Sequence, residues 1–320
     1  MRFSVIIPAY QAARFIQRAV SSALDQTLAP HEVVVVDDGS TDDTTHALDP
    51  FRSQIVLYRQ SNRGLGAARN TGIRQASGDW VVFLDSDDWW APTRLAAIAE
   101  HVERNPHHRL ITTDASVIDE TTGAQWRYYE RVAFAYHEQR TAILRSNFVF
   151  VSAAAPRTEL IALGGFDEAR HPCEDWDMWI RMIFAGIQVG LVTEPLAFYR
   201  IHDANMSHAA ERMQRGIIRV MDKTLTSQSL SSSNVNEARL TRARARDTLR
   251  LLKLDDALRN GRATRLLGGQ VALTGSYEPR TRLRGAFAAV APGITRWRLR
   301  RRASSAAIIR NERRPDRHRR

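Results

Sequence analysis

The chain is organised around the stretch Trp80-Val81-Val82-Phe83-Leu84-Asp85-Ser86-Asp87-Asp88, in which an apolar run ends in three carboxylates. The run predicts a buried strand, so the carboxylates lie where that strand ends. Carboxylates this close together repel one another and raise one another's pKa values. A hard divalent cation such as Mg²⁺ or Mn²⁺ would remove that conflict. The alternative is a solvated turn or a helix cap, because Asp and Ser favour both.

The sequence before this stretch alternates between strand and helix patterns. Residues 3–8 form an apolar run, and Val33-Val34-Val35-Val36 lacks polar alternation, as is typical of a strand in a parallel sheet. Residues 14–24 carry apolar side chains at helical spacing, and a third strand is predicted at residues 55–58. This alternation predicts an α/β sheet with right-handed crossovers.

The ends of three predicted strands carry turn-forming or acidic residues. They are Pro8-Ala9-Tyr10, Asp37-Asp38-Gly39 and Asp85-Ser86-Asp87. Ligands bind at the carboxyl ends of the strands in such sheets, so we expect these three segments to form one site. Gly39 suits a tight turn, and Ser40 or Thr41 is expected to cap a helix that runs to about residue 51.

The patterns are less regular after the acidic stretch. Strands are predicted at residues 110–117, 125–129, 148–154, 187–192 and 196–201, and helices at residues 137–145, at residues 158–163 and from Glu174 onwards. Residues 227–236 are polar and low in complexity, which predicts a linker. Helices are expected at residues 237–260 and 262–274, and a basic segment with interspersed apolar residues follows at 286–302.

The composition sets limits on the class of protein. A hydrophobic share of 43% and a charged share of 25% are typical of a soluble globular protein, and 320 residues suffice for a large domain with an extension. No apolar run is long enough to span a bilayer, and the first residues lack the features of a signal peptide. Cys173 is the only cysteine, so a disulfide framework is excluded and a cytoplasmic location is expected.

The motifs, taken in order, resemble those of the family 2 inverting glycosyltransferases of GT-A fold. The motifs are Ser-Val-Ile-Ile-Pro-Ala-Tyr at residues 4–10, Val-Val-Asp-Asp-Gly-Ser-Thr-Asp at 35–42, Asn-Arg-Gly-Leu-Gly-Ala-Ala-Arg-Asn at 62–70, Phe-Leu-Asp-Ser-Asp-Asp at 83–88, Gly-Phe-Asp-Glu at 165–168, Glu174-Asp175 and Tyr-Arg-Ile-His at 199–202. The resemblance covers residues 1–205, and an ordered set is far more specific than any one motif. It implies a GT-A, Rossmann-like sheet, mixed but mainly parallel and flanked by helices.

The resemblance also implies a nucleotide-sugar donor, usually a UDP-sugar, and a divalent cation, Mn²⁺ or Mg²⁺. The residues expected at the nucleotide are Pro8, Ala9, Tyr10, Asp38, Arg69, Asp85 and Ser86. Asp38 resembles the family aspartate that accepts a hydrogen bond from the base, as a carboxylate does from an imide N–H. Asp87 resembles the metal ligand of the DxD motif, and His202 resembles a family histidine near the metal. A structural histidine is the alternative for His202.

Inverting transfer needs a base that removes the proton of the acceptor hydroxyl. Asp175 matches the family's base, and Glu174 is expected to orient Asp175 or the acceptor. On spacing alone, both acids are better explained as first-turn residues that favour the helix dipole. Their place in the ordered set favours the catalytic role. Asp177 is expected to be structural.

Other enzyme and binding classes fit the sequence less well than this resemblance does. Gly64-Leu65-Gly66 lies between a strand and a helix, like a dinucleotide fingerprint, but Arg69 replaces the expected third glycine. A sugar nucleotidyltransferase is the alternative enzyme, although residues 9–14 lack its long basic Gly-rich loop. A catalytically silent sugar-nucleotide-binding scaffold is the alternative from another class, and intact Asp87 and Asp175 argue against it.

Most of the net charge of +11 lies at the C-terminus. Residues 296–320 hold 11 Arg against Glu312 and Asp316, a net of +9, which leaves about +2 for the remaining chain. A disordered tail and an interfacial helix on anionic lipid are both open, because Phe287 and Trp297 interleave with arginines. Nucleic acid ranks last, since no nucleic-acid-binding fold motif is present. The family analogy implies a lipid-linked or glycan acceptor. Such an acceptor favours the prediction that the protein associates peripherally with the inner face of a membrane.

The expected domain organisation has three parts. Residues 1–205 would form the catalytic domain, residues 206–290 a helical extension, and residues 291–320 the Arg-rich tail. The identity of the sugar, the acceptor and the linkage is not specified by any motif.

Overall fold

The computed structural model describes residues 1–169, 172–203, 209–227, 229–260, 262, 264–273 and 279–290. The strands are β1 Phe3–Ala9, β2 Glu32–Asp37, β3 Val56–Arg59, β4 Trp80–Phe83, β5 Trp89–Trp90, β6 His108–Asp119, β7 Gln125–Arg127, β8 Ala154–Pro156 and β9 Gln188–Ile201. The helices of the first 230 residues are α1 Ile16–Leu24, α2 Thr44–Ala47, α3 Leu65–Gln75, α4 Arg94–Arg104, α5 Tyr128–Arg131, α6 Gln139–Arg145, α7 Arg157–Ala162, α8 Glu174–Phe184 and α9 Ala210–Ser227. They are followed by α10 Ser232–Arg259, α11 Arg265–Leu273 and α12 Pro279–Val290.

The strands form one mixed sheet in the order β3-β2-β1-β4-β8-β6-β9-β5, and β7 pairs with β6. The β3-β2-β1-β4 half is parallel, as the sequence predicts. β8 is antiparallel to both β4 and β6, whereas β6 and β9 are parallel. The prediction of a mixed, mainly parallel α/β sheet flanked by helices is confirmed.

Two hydrophobic cores lie on opposite faces of the sheet, which explains why its central strands are apolar throughout. On β1, Val5 and Ile7 belong to one core and Ile6 belongs to the other. Successive side chains of a strand point to opposite faces, so a strand that is covered on both sides cannot alternate with polar residues. Helix α1 packs in the first core and helix α8 in the second.

Three predicted elements differ from the structure for local reasons. The helix expected to run to residue 51 is reduced to α2 and a 3₁₀ turn, Asp49–Phe51, because Ser40 accepts a hydrogen bond from the backbone of Gln11 instead of capping a helix. The strand predicted at 125–129 ends at Arg127, where Glu130 accepts from the Arg127 N–H and starts α5. The extended segment at 148–154 forms a strand only from Ala154 onwards.

Two further differences arise from tertiary pairing. The strands predicted at 187–192 and 196–201 are one strand, β9, because register shifts around Asp114 of β6 accommodate Pro195. The linker predicted at 227–236 is largely helix α10, and α9, which was not predicted as an element, ends at Ser227. Asn234 in α10 accepts a hydrogen bond from Thr141, so packing overrides the weak helix propensity of this Ser-rich stretch.

A close approach fixes the start of α3 against the loop that precedes α8. A Cβ at Gly66 would lie 2.4 Å from the carbonyl oxygen of Asp167, and one at Gly165 would lie 2.4 Å from Oδ1 of Asn70. Asn70 also exchanges two hydrogen bonds with the backbone of Phe166, at 2.9 and 2.7 Å. This contact positions Arg69, one residue before Asn70, beside the start of α8.

The chain divides into two compact units, Met1–Arg242 and Ala243–Arg320. The first unit contains the sheet and also helix α9, although the sequence analysis placed the residues of α9 in the helical extension. The expected domain boundaries remain a prediction. The described part of the second unit is helical. Its helices α11 and α12 pack closely, because a Cβ added to Gly268 of α11 would lie 2.6 Å from the carbonyl oxygen of Gly285 in α12. In the described ranges, no helix is both long and apolar enough to cross a membrane. The tail at 291–320 and the donor loop expected at Asn205-Met206 lie outside the described residues.

Candidate active site

The ends of β1, β2 and β4 meet at one edge of the sheet, as predicted. In the parallel register Ala9 lies opposite Asp37, and Ile6 lies between Val34 and Phe83. Pro8 and Ala9 are buried, whereas the Tyr10 side chain is 52% exposed at the mouth of this edge. An aromatic face is therefore available to a planar ligand beside the ends of β1 and β2.

Asp38 is buried and organises the loop that leads into α3. Its Oδ1 accepts hydrogen bonds from Gln60 Nε2 at 2.7 Å and the Arg63 N–H at 2.9 Å, and its Oδ2 accepts from the Gly64 N–H at 2.7 Å. The neighbouring Gly39 has φ +80°, and a Cβ there would lie 2.8 Å from the backbone nitrogen of Asn62. Gly39 therefore permits the tight turn that the sequence predicts.

The acidic motif after β4 folds into a turn, with the Asp88 N–H donating to the Asp85 carbonyl at 3.1 Å. Asp85, Ser86 and Asp87 are partly exposed, whereas Asp88 is buried. Burial, and next the charge of Asp85, raises the pKa of Asp87. Burial also raises the pKa of Asp88 well above its usual range, with Asp87 and Asp85 adding to the effect. The repulsion predicted from the sequence is therefore present.

His202, at the end of β9, lies beside this motif. Its Nε2 is 3.1 Å from Oδ2 of Asp87, and its ring packs against Phe15 with centroids 4.7 Å apart. Arg200 holds the turn in place through two hydrogen bonds. Its side-chain Nε donates to the Asp87 carbonyl at 2.9 Å, and its backbone N–H donates to Asp88 Oδ1 at 2.9 Å. The structure thus brings the Asp87 and His202 side chains together.

Arg69 connects the acidic motif to the start of α8. Its side chain is 1% exposed, and it donates to Asp85 Oδ1 at 2.8 Å and to Glu174 Oε1. Burial lowers the pKa of Arg69, but the charges of Asp85, Glu174 and Asp175 outweigh it and the net change is upward. The guanidinium therefore remains charged and holds two carboxylates from different elements together.

Glu174 and Asp175 occupy the first turn of α8, directly after Cys173, whose backbone is left-handed. Burial, opposed by Arg69 and reinforced by Asp175, raises the pKa of Glu174 to about 7. Burial likewise raises the pKa of Asp175, and Arg69 opposes the rise. Asp175 is partly exposed, and its Oδ2 accepts a hydrogen bond from Asn147 Nδ2 at 3.1 Å. A partly exposed carboxylate with a raised pKa is suited to accept a proton.

Asp177 is structural in its contacts, as predicted. Its Oδ2 accepts from Arg181 at 2.8 Å and from Lys223 of α9 at 3.0 Å, which joins α8 to α9. Sequence reasoning missed the contacts of Asn147 and Arg200. Arg200 lies within the Tyr-Arg-Ile-His motif and was open to assignment, whereas Asn147 lies in no motif.

The side chains at the acidic motif fit a divalent cation that is held jointly with a ligand. Asp87 supplies carboxylate oxygens and His202 an imidazole nitrogen, and the pKa values of Asp87 and Asp88 are raised by burial and, after it, by neighbouring negative charge. In the part of the chain that the structure describes, no group of three or more His, Cys, Asp or Glu side chains is arranged to hold a metal ion. Protein sites for Mg²⁺ commonly use one or two carboxylates and complete the shell with substrate phosphates and water.

The fold of the chain is similar to that of solved structures. It is similar to TarS of Staphylococcus aureus in complex with UDP-GlcNAc, with a TM-score of 0.59, 17% identity, and coverage of 91% of this chain and 81% of that one. It is also similar to the mannosyltransferase PcManGT of Pyrobaculum calidifontis in complex with GDP-Man and Mn²⁺, with a TM-score of 0.57, 21% identity, and coverage of 91% and 88%. The fold is that of the GT-A glycosyltransferases.

Comparison of sequences points to a family. Residues 4–158, just under half of the chain, match the model of Glycosyl transferase family 2, so the chain is similar to this family of glycosyltransferases over that range. An uncharacterized glycosyltransferase of Nostoc sp. is 33% identical over 64% of this chain and 66% of its own length. UDP-Glc:alpha-D-GlcNAc-diphosphoundecaprenol beta-1,3-glucosyltransferase WfaP of Escherichia coli is 25% identical over 64% of this chain and 79% of its own length. The match to the Nostoc relative therefore spans just under two thirds of that protein.

Proposed function

We propose that the chain is a metal-dependent inverting glycosyltransferase that moves a sugar from a nucleoside-diphosphate sugar, a UDP-sugar by preference, to a glycan or lipid-linked acceptor. The observation that carries this proposal is the buried Arg69. It donates hydrogen bonds to Asp85 of the acidic motif and to Glu174, the neighbour of the proposed base Asp175. One residue thus joins the acidic motif to the first turn of α8, which also carries Asp175, the residue assigned to proton removal. TarS with UDP-GlcNAc and PcManGT with GDP-Man and Mn²⁺ support the donor class and the metal by similarity.

The residues at the ends of β1 and β2 are assigned to the nucleotide. Tyr10 offers an exposed ring for stacking on the base, and the buried Pro8 and Ala9, which precede it at the end of β1, are assigned to the same pocket. The three hydrogen bonds that Asp38 accepts fix its orientation, and a carboxylate with about four acceptor positions retains one for a base N–H. Asp85 and Ser86 are assigned to the ribose and diphosphate. Arg69 acts on the nucleotide through Asp85, because its own donors face protein carboxylates.

The metal is assigned to Asp87 and His202. When bound, a divalent cation supplies positive charge to the leaving diphosphate as a Lewis acid. The Arg200 side chain donates to the Asp87 carbonyl and Phe15 packs against the His202 ring, so protein contacts support the positions of both residues.

The reaction assigned to Asp175 is a single displacement. The acceptor oxygen forms a bond to the anomeric carbon while its proton passes to the Asp175 carboxylate. The bond from the anomeric carbon to the diphosphate oxygen breaks, and its electron pair leaves with the nucleoside diphosphate. Attack from the side opposite the leaving group inverts the anomeric configuration. Glu174, paired with Arg69, keeps its position beside Asp175.

Peripheral binding to an anionic membrane is proposed as a second property. The second unit exposes Leu266 and Leu273 on α11, and Leu283 and Val290 on α12, and each pair is spaced by seven residues on one helix face. The net +9 of residues 296–320 follows α12 in the chain. Apolar side chains beside basic residues are typical of interfacial binding to anionic lipid. This would bring the enzyme close to a lipid-linked acceptor such as the one in the name of WfaP.

The experiment that tests the function is a screen of nucleotide sugars with purified protein and MnCl₂. Binding to the native state raises its stability, so one donor is expected to raise the Tm in a Mn²⁺-dependent way and to be hydrolysed slowly without acceptor. Stabilisation without turnover would favour the silent scaffold, and pyrophosphate exchange into the donor would favour a nucleotidyltransferase. The proposal is wrong if no nucleotide sugar changes the Tm and none is consumed.

A further inference from the structure

The hydrogen bond between Asn147 and Asp175 lies outside every motif of the sequence. Asn147 follows α6 and is partly exposed, and its Nδ2 donates to Oδ2 of Asp175 at 3.1 Å. Its Oδ1 accepts from the Val149 N–H at 3.4 Å. The two contacts agree on the orientation of the amide, because a carboxylate accepts from the nitrogen side and an N–H donates to the oxygen side.

Asn147 is held rigidly relative to Asp175 by contacts on both sides. The indole of Trp176, the residue after Asp175, donates to the carbonyl of Ile143 in α6 at 2.6 Å. After Asn147, the carbonyl of Phe148 accepts from the Tyr129 hydroxyl at 2.9 Å. The amide donor and the carboxylate are therefore carried by two elements whose separation is fixed, which is the condition for a preorganised hydrogen bond.

The groups around Asp175 explain why a neutral donor is suited to this position. Arg69 of α3 lowers the pKa of Asp175, while burial and the charge of Asp85, at the end of β4, raise it. Glu174 and Cys173 adjoin Asp175 in the chain, and the pKa of Tyr128 in α5 is raised by burial and by the charge of Asp175. A further cation would hold Asp175 ionised at the expense of its basicity, and a further carboxylate would keep it protonated. A neutral amide orients the carboxylate and favours its ionised form through one hydrogen bond, without placing another full charge beside it.

We propose that Asn147 is the positioning residue of the general base, holding Oδ2 of Asp175 so that Oδ1 receives the proton of the acceptor hydroxyl. This inference rests on the proposed transfer reaction. Asn147 acts through Asp175 and does not touch the reacting atoms. By fixing the side-chain rotamer of Asp175, it selects which face of the carboxylate the acceptor meets.

The test compares Asn147→Ala and Asn147→Asp with the wild type in transfer assays over pH 5–9. Asn147→Ala removes a hydrogen bond to the ionised base, so the pKa of Asp175 rises and the acid limb of kcat/KM moves to higher pH. We expect kcat at pH 7 to fall by about ten- to a hundredfold, the range typical of a misplaced catalytic group, with little change in the KM for donor. Asn147→Asp keeps the shape of the side chain and serves as a second variant in case Asn147→Ala fails to fold. Its added negative charge should move the acid limb of kcat/KM further to higher pH.

Two controls separate positioning from structure. Asn105→Ala removes a comparable amide that donates to the His101 carbonyl at 3.0 Å, near the start of β6, and should leave the pH profile unchanged. In an Asp175→Asn background, Asn147→Ala should cause little further loss, because residues that act as a unit are not additive. An unchanged pH profile in both Asn147 variants, with or without a fall in kcat, overturns the inference. Absence of transfer by the wild type would instead overturn the proposed function.

Discussion

Nε2 of His202 lies 3.1 Å from Oδ2 of Asp87, although 115 positions separate the two residues in the chain. The contact joins the end of β9 to the turn after β4. Both groups are ordinary metal ligands, and both belong to the set that the sequence predicts.

Asp87→Ala tests the metal assignment. We expect donor turnover to be lost and Mn²⁺ to cease raising the Tm in the presence of donor, because a partly exposed strand-end carboxylate contributes little to core packing. Asp79→Ala, next to the start of the same strand and paired only at the surface with Arg2, is the matched control and should keep full activity. Full activity of Asp87→Ala, or of the wild type in excess chelator, would contradict the assignment.

Asp175→Asn tests the base. The amide keeps the shape of the side chain but cannot accept the proton, so kcat should fall by about a hundredfold or more while donor affinity stays near that of the wild type. Asp177→Asn is the counterpart in the same helix turn. It should lower stability through Arg181 and Lys223 and leave kcat largely intact. Transfer by Asp175→Asn at the wild-type rate, or a product with retained anomeric configuration, would argue against the mechanism.

Arg69→Met tests the link between the acidic motif and α8. Removing a buried cation leaves the carboxylates of Asp85 and Glu174 without their partner, and loss of one member of such a buried group costs about 3–5 kcal/mol. Urea unfolding should show this loss. Arg2→Met breaks an exposed bridge to Asp79 and should leave the urea midpoint close to that of the wild type. Similar effects of the two substitutions would show that Arg69 holds nothing essential.

The pH dependence of stability tests the environment of Glu174. Its pKa is about 7 in the folded protein, above the usual 4.5, so the folded state retains a proton that the unfolded state has lost between these values. The stabilising effect is complete below pH 4.5 and is lost as pH rises through 7, with an upper bound of about 3 kcal/mol.

In Glu174→Gln the contribution of residue 174 to the slope of the free energy of unfolding against pH should disappear, because the side chain no longer titrates. Denaturant unfolding from pH 4.5 to 7.5 measures the difference in slope between variant and wild type. Glu103→Gln, at an exposed position of α4, should keep the wild-type slope. Parallel curves for Glu174→Gln and the wild type would show that Glu174 titrates normally.

Truncation after Ala291 tests the membrane proposal. Each basic residue near an anionic surface contributes about 1 kcal/mol, and salt screens the attraction. The full chain should therefore sediment with phosphatidylserine vesicles at low salt and be released at high salt, whereas the truncated chain should stay in the supernatant. The truncated enzyme should still act on a soluble acceptor, since the motif set ends at His202. Equal recovery of both in the low-salt supernatant would favour a solvated tail.

The elements that the sequence predicted well are those whose burial determines their composition. The run at Val33-Val34-Val35-Val36 and the run ending at Leu84 are strands within one residue of the predicted bounds, because both faces of the sheet are covered. The meeting of the ends of β1, β2 and β4 at one edge of the sheet followed from the predicted parallel order of these strands. That Arg69 faces two carboxylates did not follow, because it depends on where α8 packs.

The remaining features depend on pairing between distant segments. Pro195 in β9 is an ordinary strand-breaking signal, and only the bulge around Asp114 in β6 explains why the strand continues. Asn147 carries no local signal, since its partner is 28 residues away and the geometry depends on the contact of Trp176 with Ile143. The functional roles of the predicted site residues stay predictions until the variants are measured.

The close approach of Gly66 to Asp167 has a consequence for engineering hybrid enzymes. Because a Cβ at Gly66 would lie 2.4 Å from the Asp167 carbonyl oxygen, the start of α3 and the loop before α8 are shaped to one another. A chimaera whose crossover separates these two contact points inherits a clash or a gap beside Arg69, so recombination should succeed only when both are taken from the same parent.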